Sequence, residues 1–373
     1  MFCPNCGKQI PNGSKFCPYC GASLEGRTVK SKSSRKASKI IVPIVLIIVL
    51  LFSAFAYVKL IKPNIGSNTP KETVTTLIPY RKGDKWGFCD RNKNIVIPAI
   101  YDGALFFNQN LAPIRIKDKW GFIDTKGNMV VQPVYDEVLF FRNDFARIKI
   151  NNKYGFIDTR GNLIIPAIYD FALIFKEGLA PVEINNKYGF IDTRGNIVIN
   201  LIYDNAIYFS EGLAPVEVND KWGFIDKKGN IVVTPVYDRT FYFSEDFARV
   251  ELDGKWGFID KKGNLVIKPT FDNAFNFYKG IAPVVLNGGW VFIDKKGNIV
   301  LKTNYHIVGD FSYGLACILL NNKYGFIDTK GNLVIPAIYD NPTIFIWNEG
   351  LALVRFNGES GIIDTKGTQY WED

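Results

Sequence analysis

Four of the six cysteines in this 373-residue chain have a spacing that can do chemistry. Cys3-Pro4-Asn5-Cys6-Gly7 and Cys17-Pro18-Tyr19-Cys20-Gly21 are two copies of one C-P-x-C-G knuckle. Each CxxC turn aims two sulfurs at one point, and the glycine that follows lets backbone amides turn toward them. Together, Cys3, Cys6, Cys17 and Cys20 supply four thiolates, a closed tetrahedral shell for one Zn2+ ion. With no coordination position left open, the ion is expected to be structural. About twenty residues bury too little apolar surface to fold alone, so metal binding is expected to supply most of the folding free energy. A redox CxxC pair or two disulfides are the competing readings, and no thioredoxin-like pattern surrounds the knuckles.

Other reactive patterns are missing. The chain has one histidine, His306, and no G-x-S-x-G, P-loop or H-E-x-x-H. No catalytic and no cofactor-binding residue is assigned, and the chain is expected not to be an enzyme. The formal charge of +9 is local: residues 1–62 hold ten of the 45 Lys/Arg and one of the 36 Asp/Glu, which leaves 35 of each sign beyond. The large C-terminal region therefore has no basic field that would draw it to nucleic acid.

The basic excess flanks an apolar segment. Arg27–Lys39 reads as a flexible basic linker. Ile40–Val58 carries no charge, and as a helix it would be roughly 28 Å long, about the thickness of a bilayer core. Pro43 falls in its first turn, where a missing N–H costs little. Six Lys/Arg precede the segment and two, Lys59 and Lys62, follow it closely. The positive-inside rule then puts residues 1–26 in the cytoplasm and the C-terminal region outside, in a single-pass protein of the cytoplasmic membrane. A reducing cytosol also keeps the four thiols free for metal. Ala54-Phe55-Ala56 leaves open a cleavage after Ala56 that would release the C-terminal region. Residues 59–72 form a short spacer.

From residue 73 to 373 the chain repeats. Trp86-Gly87 recurs as Trp120-Gly121, Tyr154-Gly155, Tyr188-Gly189, Trp222-Gly223 and Trp256-Gly257, then as Trp290-Val291, Tyr324-Gly325 and a degraded Ser360-Gly361. The period of 34 residues also suits helical repeats. Prolines before the recurring Tyr-Asp step and segments rich in Val, Ile, Phe and Tyr favour strands instead. Asp226-Lys227-Lys228-Gly229-Asn230 and its copies read as type I turns with a glycine bulge, joining strands into β meanders. One acid beside lysines is too little charge for a calcium loop. The aromatic of each pair is read as a packing residue with the glycine making room for its ring, and the Asp of Tyr101-Asp102 and its copies as a turn cap. Cys89 and Cys317 replace apolar or variable residues of sibling units and are read as lone buried thiols. His306 and Val291 are read as drift.

The knuckles resemble those of short zinc-ribbon domains found at the N-terminus of many bacterial membrane proteins, over roughly residues 2–24. The 34-residue unit resembles the WG-containing repeat of bacterial proteins over nearly all of residues 77–370. The fold expected is an all-β repeat array of about nine units, with a zinc ribbon and one transmembrane helix. Units that cannot bury their own apolar face must stack, either as an open solenoid or as a closed propeller. The atypical last unit favours the open solenoid, although an N-terminal strand at 73–81 and the partial last unit could share a blade. The function expected is a membrane-anchored scaffold that binds proteins or envelope polymers multivalently. A membrane-tethered carbohydrate-active enzyme, or a sensor that reports through the ribbon, remains as an alternative. The enzyme reading would need acids that break the repeat pattern to converge in one pocket.

Overall fold

The computed structural model describes residues 77–307, 309–348 and 350–372. The segments read as ribbon, linker, membrane helix and spacer lie outside these residues. Among the described residues no helix is long and apolar enough to cross a membrane. Thr76–Asp373 is one compact unit, three residues shorter at its start than the expected array.

Each repeat within it is built from one short and three long strands. The first sheet contains β1 (Ile78–Lys82), β2 (Lys85–Cys89) and β3 (Ile95–Tyr101). The second runs in order through β4 (Gly103–Ala104), β5 (Leu111–Ile116), β6 (Lys119–Asp124) and β7 (Met129–Tyr135). Later units repeat this pattern. Two different hairpins make it. Between the first and second long strands, pairs such as Asn185-Asn186 have φ of 52° and 58°. Two successive left-handed residues define the tight hairpin turn whose twist matches its strands, and asparagine tolerates that conformation. Between the second and third, Gly195 N–H donates to the Asp192 carbonyl at 2.9 Å and Gly195 has φ of 81°. That is the type I turn with a left-handed glycine expected from the Asp-x-x-Gly-Asn loops.

The Asp of this second loop also holds it with its side chain. Asp226 accepts from Lys228 N–H at 2.8 Å, Asn230 N–H at 2.9 Å and Asn230 Nδ2 at 2.8 Å. The side-chain bond from Asn230, followed by the backbone bonds, depresses the Asp226 pKa, and the same holds at Asp90 and Asp294. A depressed carboxylate pKa contributes stability above its unfolded value and loses it as pH falls through the folded one. The denaturant midpoint of the array is therefore expected to be level from neutrality to pH 5 and to fall below about pH 4. A midpoint that stays level down to pH 3 would contradict this reading of the loops.

The glycine of the aromatic-Gly pair has a role other than the one expected. Trp222 pairs with Tyr237 and Phe224 with Val233, so Thr234, Pro235 and Val236 all face Gly223. The third strand kinks over the glycine, and a Cβ on Gly223 would lie 2.4 Å from the Val233 carbonyl oxygen and 2.6 Å from the Pro235 nitrogen. The space is needed for main chain, not for the aromatic ring. A proline fits within the kink because it has no N–H to leave unpaired there.

No sheet has a core of its own. One cluster joins Leu179, Phe190 and Ile199 of one sheet to Phe209, Val216 and Ile225 of the next. Its centre is a ring pair, Phe190–Phe209, with centroids 4.9 Å apart. The same pairing recurs as Phe122–Phe141 at 4.9 Å and as Phe224–Phe243 and Phe258–Phe277 at 4.8 Å. These interfaces thus rest on the Phe after Trp/Tyr-Gly and a Phe of the following unit. Tilted ring pairs at this distance contribute about 1 kcal/mol beyond the area they bury.

Among the described residues the strands form eight four-stranded sheets and one three-stranded sheet. They close into a propeller-like ring, which overturns the preference for an open solenoid. The fourth strand of the first sheet is Trp371–Glu372, paired parallel to β1 through Arg81–Trp371 and Lys82–Glu372. Just before it, Tyr370 N–H still donates to the Ile362 carbonyl of the last sheet at 2.9 Å. The C-terminal segment therefore starts on the last sheet and finishes on the first. Leu351, Ile362 and Tyr370 share one core cluster with Ile78, Tyr80 and Phe88. The buried Arg81 donates through Nε to the Ser360 carbonyl at 2.8 Å. The atypical last unit is the clasp of a ring and not the cap of a solenoid.

Candidate functional site

The four ligands expected for zinc, Cys3, Cys6, Cys17 and Cys20, lie outside the described residues. Among the described residues no group of three or more His, Cys, Asp or Glu could hold a metal ion. If the knuckles hold a structural ion, the purified chain should carry one zinc, and substituting Cys3 and Cys17 by serine should abolish it. Metal analysis of parent and variant decides this, and a variant that keeps its zinc refutes the ligand set. Cys89 and Cys317 are free and buried. Burial pushes the Cys89 thiol up to about 12 and the Cys317 thiol further up, so neither is a reactive thiolate at neutral pH.

The recurring Tyr-Asp step joins one sheet to the next. Tyr203 is buried in the interface. Asp204 accepts from Lys187 Nζ at 2.5 Å and from Asn219 N–H at 2.8 Å. Lys187 lies on a strand of the preceding sheet and Asn219 in the hairpin turn of the following one. The Lys187 bond first, then the Asn219 N–H, lowers the Asp204 pKa. Asp238 does the same with Lys221 at 2.5 Å and Asp253 N–H at 2.8 Å, and Lys119–Asp136 and Lys153–Asp170 repeat the ion pair. The expected turn cap is therefore present, and it caps the turn of the neighbouring unit. The aromatics of the aromatic-Gly slot are packing residues as expected: Trp222 and Trp256 are buried before their glycines, and Trp290, which precedes Val291, is buried and stacks on Phe275 at 5.4 Å.

One junction breaks the rule in three places at once. Gly289 stands in the lysine slot, Val291 in the glycine slot and His306 in the aspartate slot. With a side chain at 291 the third strand runs straight, pairing Val291 with Lys302 and Phe292 with Leu301, and it stops at Ile299–Lys302. His306 packs edge-on to Trp290 at 5.9 Å instead of accepting from a lysine. The three changes meet at one junction, where both partners of the ion pair are replaced together. The Phe292–Phe311 pair at this junction is looser, at 5.6 Å.

The surface most able to bind a partner is the exposed edge of the sheets. The third strands open on pairs such as Ile95-Val96, Ile197-Val198, Ile231-Val232, Leu265-Val266, Ile299-Val300 and Leu333-Val334, whose side chains are 36% to 59% exposed. Ile100, Ile202 and Val236 extend the belt within the kinks. Scattered apolar residues are ordinary on a surface, but a repeating band on successive sheets is not. In the sequence these short all-apolar runs read as buried strands, so the belt becomes visible only in the structure.

A family model described as "WG containing repeat" matches residues 86–120, 120–154, 154–188, 188–222, 222–256, 256–290, 292–324 and 324–359. A zinc-ribbon domain model matches residues 2–24. The comparison with curated proteins gave no match. Among solved structures, a eukaryotic initiation factor is similar at 12% identity and TM-score 0.56, over 79% of this chain and 94% of that one. Hsv2p of Kluyveromyces lactis is 11% identical with TM-score 0.37, over 59% of this chain and 90% of that one. The first of these likenesses shows fold alone. Repeat matches that tile more than half of the residues, on units whose glycine, aspartate and phenylalanine slots have the structural roles described above, place this chain in the WG-containing repeat family.

Proposed function

We propose that the chain is a non-catalytic, membrane-tethered scaffold whose ring binds protein partners outside the cytoplasmic membrane while its zinc ribbon sits in the cytoplasm. The belt of exposed Ile, Val and Leu pairs supports the binding role. Repetition around a ring gives several equivalent contacts, and linked weak contacts raise avidity without any single tight site. The uncharged Ile40–Val58 segment and its basic flank support the tether and its orientation.

The test is site-specific photocrosslinking in intact cells, with the crosslinker placed at Ile100, Ile202 or Val236 on the belt and at Lys126 off it. Belt positions should give a discrete protein adduct that disappears when Ile231 and Val232 are replaced by serine. Adducts of equal yield at Lys126, or none at the belt, would sink the binding reading. Protease added outside the same cells should remove the ring and spare the ribbon; a ring protected until lysis would reverse the topology.

A further inference from the structure

One slot of the 34-residue unit, two or three places beyond the short strand, is apolar early in the array, as Phe106 and Phe140, and polar later, as Tyr208, Tyr242, Asn276 and Asp310. Lys176 Nζ lies 4.9 Å from the centre of the Tyr242 ring, two units after it, and the charges of Arg142, two units before Tyr208, and Asp310, three units after it, bear on the Tyr208 hydroxyl. In a closed ring, side chains from units that far apart meet only at the axis. A ring opened into a solenoid would separate them, so this cluster exists because the ring closes.

Its charges do not balance. Lys176 Nζ sits 4.4 Å from the centre of the Tyr208 ring and 4.9 Å from that of Tyr242, and those two rings are 5.1 Å apart. Its hydrogen bond goes to a neutral partner, Ser210 Oγ, at 3.3 Å. Burial first, and then the charge of Arg142, lowers the Lys176 pKa, while the charges of Glu177 and Glu211 act in the opposite sense. The carboxylates nearby are committed elsewhere. Asp310 accepts from Asn276 N–H at 2.6 Å and Nδ2 at 2.9 Å and faces the buried Arg249. Glu177 pairs with Lys227 at 3.0 Å, and Glu211 with Lys261 at 2.9 Å. Among the described residues no carboxylate is paired with the side chains of Arg142 or Lys176.

We propose that the axial mouth of the ring is an anion-binding site, in which Arg142 and Lys176 hold the carboxylate or phosphate of a small ligand beside the Tyr208–Tyr242 pair. An anion between the half-buried Lys176 and the exposed Arg142 relieves their repulsion and adds charge-assisted hydrogen bonds. The aromatic faces hold the ammonium in place for it. The site is separate from the outer belt, so serine substitutions on the belt leave it intact.

Isothermal titration of the full chain in detergent micelles, at low salt, tests this with three probes: inorganic phosphate, a capped Glu-Glu-Glu peptide and a capped Gln-Gln-Gln peptide. At least one acidic probe should bind at a single site and the glutamine peptide should not. Phosphate binding alone assigns a phosphoryl ligand, and peptide binding alone a carboxylate. The double variant Arg142→Gln and Lys176→Gln should weaken binding at least tenfold, whereas Lys126→Gln and Lys296→Gln in distant turns should not. Should the double variant fold poorly, Tyr208→Phe with Arg142→Gln replaces it, with the same expectation. Absence of binding by both acidic probes, equal binding of the glutamine peptide, or equal weakening by the distant lysines overturns the proposal.

Discussion

Gly223→Ala is expected to destabilise the ring by about 3 kcal/mol, a large effect for one methyl group. The added carbon would lie 2.4 Å from a carbonyl oxygen of the neighbouring strand, and the obstacle is main chain that no rotamer change can move. Relief requires the third strand to give up its kink, and the residues that follow it would have to re-pair. Gly212→Ala is the matched control. Its φ of +88° makes alanine strained, yet no heavy atom lies within 4 Å, so a cost of about 1 kcal/mol is expected. Urea unfolding of both variants gives the comparison. If Gly223→Ala is no worse than Gly212→Ala, close approach is not what holds glycine in this slot. Val291 shows the alternative already built: there the strand is straight and short, and the lysine–aspartate staple is absent.

Removing residues 369–373 is expected to cost about 5 kcal/mol and to open the ring. Tyr370 is almost wholly buried and its hydroxyl reaches Asp364 at 3.2 Å. Trp371 packs on Phe356 and fills the space above Gly361, where a Cβ would meet its ring at 2.3 Å. Burying two such aromatics accounts for roughly 2–3 kcal/mol each. Beyond that loss, truncation exposes the first and last sheets, which then fray independently as the ends of any linear repeat array do. The checks are the denaturant midpoint, and small-angle scattering to follow the radius of gyration. A truncated chain that unfolds at the parent's midpoint and keeps its dimensions would show that closure rests on the Arg81–Ser360 contact and the shared core alone.

Much of this architecture can be read from residue order. The period, the β character and the Asp-x-x-Gly-Asn hairpin follow from glycine, proline and β-branched placement. The companion hairpin is carried by turn pairs at fixed spacing, Asn185-Asn186, Asp253-Gly254 and Asn287-Gly288. The role of the repeated glycine stayed hidden because an alternating pattern implies straight strands, and three residues facing one can be seen only in the pairing register. Closure was undecidable for a different reason. A degraded terminal unit ending in Tyr370-Trp371 suits both a solenoid cap and a ring clasp, and the choice depends on whether the accumulated twist brings the ends together. The axial residues vary from unit to unit, which reads as loss of pattern until the ring assembles them. The cysteine knuckles are the reverse case, fully legible in spacing and lying outside the described structure.

Closure also sets a clock. Arg81 and its partner Ser360 are 279 residues apart, so the first sheet cannot receive its fourth strand until nearly the whole array has been synthesised. Until then β1 presents an unpaired edge, and Arg81 has no carbonyl from the last sheet to meet. Long-range pairing of this kind slows folding and leaves intermediates exposed to wrong partners. Until the strand Trp371–Glu372 arrives the chain holds an incomplete ring, and that strand decides whether it becomes one molecule or joins its neighbour.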